Sequence, residues 1–134
     1  MDEKQKNSGY SVGFGQIFID RFDKFPLKDK DKINDFVFHV EEHGFVGLAG
    51  RNKSSDNVPK DDPDFLSKVK YAKEYSLWHY HVGIPVYDKA KGFGNYTSEY
   101  VLHYRLLENN IVIVDMDFHP PLNLPSEKYF KEES

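Results

Sequence analysis

Between residues 76 and 118 the hydrophobic pattern repeats with a period of two, and no other feature restricts the fold as strongly. In residues 76–82 (SLWHYHV), Trp78, Tyr80 and Val82 alternate with Leu77, His79 and His81. Successive side chains of a strand point to opposite faces, so this segment reads as a strand with two unlike sides. Residues 99–107 (EYVLHYRLL) and 111–118 (IVIVDMDF) read as two more strands, joined by a hairpin turn at Glu108-Asn109-Asn110. Gly83 and Pro85 end the first run. Residues 88–98 (DKAKGFGNYTS) form a flexible loop, and His119-Pro120-Pro121 stops the last strand.

Upstream the periodicity becomes helical. Ile33, Phe36, Val37 and Val40 follow i, i+3, i+4, i+7, and Gly44 stands where a helix ends, so a helix is expected over 28–43. Asp62-Pro63 resembles a cap followed by proline at the first helical position. Phe65, Leu66, Val69 and Ala72 then mark a second helix over about 62–75. Residues 12–19 (VGFGQIFI) suggest an edge or first strand, residues 52–61 an exposed loop, and the tail a short helix from about 126. The expected fold class is α+β: an antiparallel sheet of about four strands with the two N-terminal helices packed on one face. At 134 residues the chain suits a single domain over 11–134, preceded by a disordered polar tail over 1–10.

Composition removes several classes of function. With no cysteine there is no disulfide framework, thiolate metal site or catalytic thiol. Aromatic residues at 16% are enough for a core. No apolar run approaches the roughly 18–20 residues that cross a bilayer. The start, MDEKQKNSGY, lacks an apolar signal core, so a cytoplasmic location is the default. The net charge of −4 does not indicate a bulk electrostatic hold on nucleic acid, which leaves only a local cationic site.

Four of the six histidines fall on the C-terminal strands: His79, His81, His103 and His119. His39 and His43 lie near a helix C-terminus, where histidine suits the helix dipole. A three-residue loop at 108–110 sets His103 opposite Asp115, Val101 opposite Asp117 and Glu99 opposite His119. One face then carries His103, Arg105, Asp117 and His119, with His79 and His81 joining from the neighbouring strand. A two-residue loop at Asn109-Asn110 would split the set across the sheet. The other face would present Trp78, Tyr80, Leu102, Tyr104, Val112, Val114, Met116 and Phe118 to the helices.

Three kinds of chemistry compete for such a face. His79, His81 and His119, with Asp117, could ligate a metal. Alternatively the imidazoles, with an unperturbed pKa of about 6.5, could move protons in phosphodiester cleavage of RNA. Arg105, Arg51 and Lys53 would then hold the phosphate. The third possibility is a partner-binding sheet without chemistry. Gly92-Phe93-Gly94 is too short for a phosphate loop and reads as a hinge or loop tip.

Over about residues 14–121 the order of elements resembles the RelE/ParE superfamily of toxin–antitoxin toxins. The segments that carry the likeness are GFGQIFI, the lysine-rich helix, G-F-V-G-L-A-G-R-N-K (44–53), L-W-H-Y-H-V-G (77–83), E-Y-V-L-H-Y-R-L (99–106) and I-V-I-V-D-M-D-F-H (111–119). Several members of that superfamily close on an aromatic–histidine pair that acts in mRNA cleavage on the ribosome, and Phe118-His119 stands at that place. Where many ribonuclease members carry a tyrosine–arginine pair, this chain has Tyr100-Val101, with Arg105 four residues on as the implied replacement. The resemblance implies a metal-independent endoribonuclease that arrests growth. It makes His119 the first choice for proton transfer, with His79 or His81 second, and places Arg105, Arg51, Lys53, His103 and Asp117 around the substrate. It implies no cofactor, a cognate antitoxin that neutralises the protein, and mRNA as substrate. Members of the superfamily are usually basic, and the acidity of this chain keeps another activity found among them, inhibition of DNA gyrase, as the alternative.

Overall fold

The computed structural model describes residues 8–119 and 122–130. Strand β1 (Ser11–Phe14) leads into helices α1 (Gln16–Phe22) and α2 (Leu27–His43). Strand β2 (Asn52–Ser54), helix α3 (Phe65–Glu74) and strands β3 (Leu77–His81), β4 (Tyr100–Leu107) and β5 (Asn110–Phe118) follow, and a single 3-10 turn spans Glu127–Phe130. The strands form one five-stranded sheet in the order β1-β5-β4-β3-β2. β1 runs parallel to β5 and all other neighbours are antiparallel, so the sheet is mixed. No helix of the described residues is long and apolar enough to cross a membrane.

The α+β class and the three C-terminal strands agree with the expectation, and several finer points are corrected. The expected strand over 12–19 stops at Phe14, and its second half is α1. Phe14, Phe18, Phe22 and Phe25 recur at helical spacing, and their rings pack on one another at centroid distances of 4.9–6.3 Å. Residues 52–54, expected in a loop, form the edge strand β2 against β3. Helix α3 starts later than expected. Asp62 caps no helix: its carboxylate accepts from the Asp64 amide at 2.7 Å and pairs with Lys68 at 2.7 Å. Of the tail expected over 1–10, residues 1–7 lie outside the described set, as do Pro120 and Pro121. Ser8 is tied down, its hydroxyl donating to the carbonyls of Val40 and Glu41.

α2 forms as its pattern predicts. Ile33, Phe36 and Val40 are fully buried against the sheet, each contributing about 1.5–3 kcal/mol through apolar burial. Gly44, at φ +70°, ends the helix in a conformation that costs other residues more. The helices do not share one face. α1 and α2 cover the side bearing Tyr80, Leu102, Tyr104, Ile111, Ile113 and Met116. α3 and the 127–130 turn cover part of the other side, through Ala72, Leu77, Val114 and Phe130. Val112 and Val114 therefore belong to this second cluster and not to the helix-covered core first assigned to them.

The β4–β5 register explains that exchange. The turn has two residues, Glu108 and Asn109, with Glu108 at φ +59° and Leu107 opposite Asn110. Near the turn the pairing is thus one residue away from that of a three-residue loop. Between His103 and Tyr104 the register shifts, because β5 carries one extra residue, Val114. Beyond this bulge His103 opposes Asp115 and Val101 opposes Asp117, as the longer loop would have set them. Asp115, beside the bulge, pairs with Arg21 of α1.

Candidate functional site

Beyond the bulge the sheet gathers its imidazoles on the side left partly open by α3. His79 and His81 alternate with the core residues Trp78 and Tyr80 on β3, and His103 is the cross-strand neighbour of His79. His119 follows β5, and its amide donates to the Glu99 carbonyl at 2.9 Å. The His119 ring lies 5.4 Å from that of His79 and 5.3 Å from that of His81, stacked on the latter at 25°. His103 stands behind, 6.4 Å from His79.

Each ring has a different environment. His79 is buried, and its Nδ1 lies 2.9 Å from the Oγ of Ser55, a fully buried hydroxyl. Burial, reinforced by the other three imidazoles and Lys53, lowers its pKa to about 3. The Nδ1 of His81 lies against the Ser98 backbone, 2.9 Å from its amide nitrogen and 3.0 Å from its carbonyl oxygen. Burial holds His81 at about 4, against the opposing effect of the Ser98 backbone. His103 is fully buried, and neither ring nitrogen has a hydrogen bond among the described residues. Burial lowers it to about 4, although Asp117 pulls the other way. His119, half-buried, is lowered by burial and by the Arg51 charge.

The cations come from the edge of the sheet. Arg51 follows directly on Gly50, where backbones meet so closely that a Cβ would lie 2.0 Å from the His81 carbonyl oxygen. Glycine there lets Arg51 run beside β3, its carbonyl accepting from the His81 amide at 2.9 Å. The Arg51 Nε is buried and has no hydrogen-bond partner among the described residues. Lys53 pairs across the strands with His79 and is exposed. Arg51, Lys53, His79 and His119 line a cavity of about 430 Å³, together with Ser55 and the Asp62–Lys68 ion pair.

Of the residues singled out from sequence, His79, His81, His103 and His119 are brought together, and Arg51 and Lys53 join them. Asp117 shares their face beside Val101, and its Oδ1 accepts from the Phe118 amide. Arg105 does not join, which corrects the placement expected for it. It has the expected parity but lies too far toward the turn, opposite Leu77 and Val112. Its guanidinium sits over the rings of Phe130 (5.2 Å) and Tyr75 (5.6 Å), and its Nε donates to the Tyr75 carbonyl at 3.0 Å. Glu99, which anchors His119, is about 20 Å from Arg105 along the strand at roughly 3.4 Å per residue. The metal reading fares no better: among the described residues, no group of three or more His, Cys, Asp or Glu side chains is arranged to hold an ion.

Sequence reasoning did not find Ser55, Ser98 or Lys68. Ser55 and Ser98 act through one hydrogen bond each to a histidine, a relation with no periodic trace. Lys68 sat inside a helix pattern that gave it no distinction.

Comparison with known proteins gives no match: no family model, no curated protein and no solved structure aligns significantly with the chain.

Proposed function

We propose that the cavity is the active site of a metal-independent endoribonuclease, a RelE-like toxin that cleaves mRNA on the ribosome and arrests growth. The observation that carries this reading is the pair of imidazoles, His79 and His119, 5.4 Å apart in one cavity with Arg51 and Lys53. RNA cleavage needs a base for the 2′-hydroxyl, an acid for the departing 5′-oxygen and positive charge for the phosphorane. His79, the most strongly depressed imidazole, stays neutral and takes the 2′-proton. The 2′-oxygen attacks phosphorus, and the P–O5′ bond breaks as His119 delivers a proton to the leaving oxygen. The products are a 2′,3′-cyclic phosphate and a 5′-hydroxyl. Arg51 and Lys53 neutralise the non-bridging oxygens, and His81, stacked on His119, positions it.

The acidic net charge of −4 gives little general attraction for RNA, so binding rests on these local cations and on the ribosome as carrier. The partner is a cognate antitoxin, a disordered segment of which folds over the cationic mouth and neutralises the toxin.

His119→Gln should abolish growth arrest on induction and leave messages uncut in primer extension, with circular dichroism unchanged. Cut messages from a folded H119Q protein remove His119 from the mechanism. Intact messages with DNA damage from the wild type replace the proposal with a non-catalytic toxin acting on a target such as gyrase. The pH profile is a second check. An acid must be protonated, and the His119 pKa lies below 6.5, so kcat/KM should climb as pH falls through 6.5 and decline only as His79 is protonated near 3. An optimum above pH 7 overturns this division of roles.

A further inference from the structure

The cavity offers more than a seat for phosphate. Arg51, Lys53 and the imidazoles supply its charged part. The rest comes from the loop after β2 and the segment after β5, which contribute the aliphatic side chains of Val58, Pro59, Leu122 and Leu124. Asn57 and Asn123 line the same part, exposed to solvent. At about 430 Å³ the whole has the volume of a small-ligand site, well beyond that of one tetrahedral anion.

We propose that this aliphatic part is a nucleobase subsite. It holds the base next to the scissile phosphate, and the inference rests on the nuclease reading above. A base presents flat faces of low polarity and an edge of donors and acceptors. Aliphatic side chains match the faces. A side-chain amide, with two donors and one acceptor, matches the edge, and asparagine suits adenine in particular because it can engage N6 and N7 together. Two further features favour an anionic nucleotide over a neutral base. Among the described residues the Arg51 Nε and the His119 Nδ1 are buried without hydrogen-bond partners, and both belong to residues that line the cavity. The Asp62 carboxylate, which would repel a phosphate, is neutralised by Lys68 at 2.7 Å.

The test is a titration of the full chain with two probes, inorganic phosphate and adenosine 3′-monophosphate, followed by calorimetry and by the imidazole C–H resonances. The wild type should bind the nucleotide about tenfold tighter than phosphate or better, with both ligands shifting the His79 and His119 signals. In an N57A/N123A protein that advantage should disappear. Equal affinity for the two probes in the wild type overturns the base subsite and leaves the phosphate site standing. An advantage that survives N57A/N123A overturns the assignment of the base to this part of the cavity. If neither probe binds and induced cells keep intact messages, the nuclease reading falls with it.

Discussion

The two faces of the sheet treat their polar atoms in opposite ways. Under α1 and α2 the face is aromatic, and its buried hydroxyls are satisfied. Tyr104 donates to the Asn52 side chain at 2.7 Å, and Tyr80 accepts from the Gly50 amide and meets the Tyr87 hydroxyl at 2.9 Å. Burial pushes both tyrosines further from ionisation. On the histidine face the accounts are left open. Among the described residues, every buried side-chain polar atom without a partner belongs to Arg51, His103 or His119. Such an atom costs roughly 1–3 kcal/mol. The first face is arranged for stability. The second keeps that cost beside a cavity that Arg51 and His119 line.

The difference can be broken most sharply from the dry side. Phe18, fully buried and ringed by Phe14, Phe22 and Phe25, should cost about 3–5 kcal/mol on replacement by alanine, measured by urea denaturation. A loss below 1 kcal/mol would show that α1 is not part of the cooperative core. The histidine face predicts the opposite sign. His103→Leu removes two unpartnered ring nitrogens and should leave stability at pH 7 unchanged or raise it by about 1 kcal/mol.

Acid should sharpen the same contrast. The folded-state pKa of His103 is depressed to about 4, so unfolding takes up a proton once the pH falls below 6.5. The stability this ring allows is complete above 6.5 and drains away as the pH drops toward 4. Between pH 6.5 and 5 the wild type should therefore lose about 2 kcal/mol more than His103→Leu. Parallel pH dependences of the two proteins would mean that His103 is solvated and not buried.

What could be read from sequence divides along the range of the interactions involved. α2 and the three C-terminal strands were legible because one buried face imposes a period on neighbouring residues. α1 was hidden by reading the glycine-broken run 12–19 as extended, although its phenylalanines already stood four apart. The parallel pairing of β1 with β5 joins residues about a hundred positions apart and leaves no local trace. The histidine cluster was found through a register argument that was wrong at the turn. A two-residue loop displaced the pairing by one, and the Val114 bulge restored it before the strands reached His103. Strand propensity contains no term for that compensation.

Arg105 shows where parity alone misleads. Alternation places it on the face of His103, which is correct, but says nothing of where along the strand α3 begins to cover the sheet. The guanidinium lies over Tyr75 and Phe130, its Nε holds the carbonyl that ends α3, and the residue as a whole is half-buried. Its work is to fasten α3 and the 127–130 turn to the closed end of the face. Arg105→Gln should therefore lower stability by about 1–2 kcal/mol, the loss of a charged hydrogen bond and a cation–π contact in a half-exposed setting. Cleavage of a model RNA should stay within about threefold of wild type, whereas His119→Gln should lose about a hundredfold or more. If the two substitutions abolish cleavage equally while R105Q stays folded, the closed and open halves of this face are one site, and the separation drawn between them is wrong.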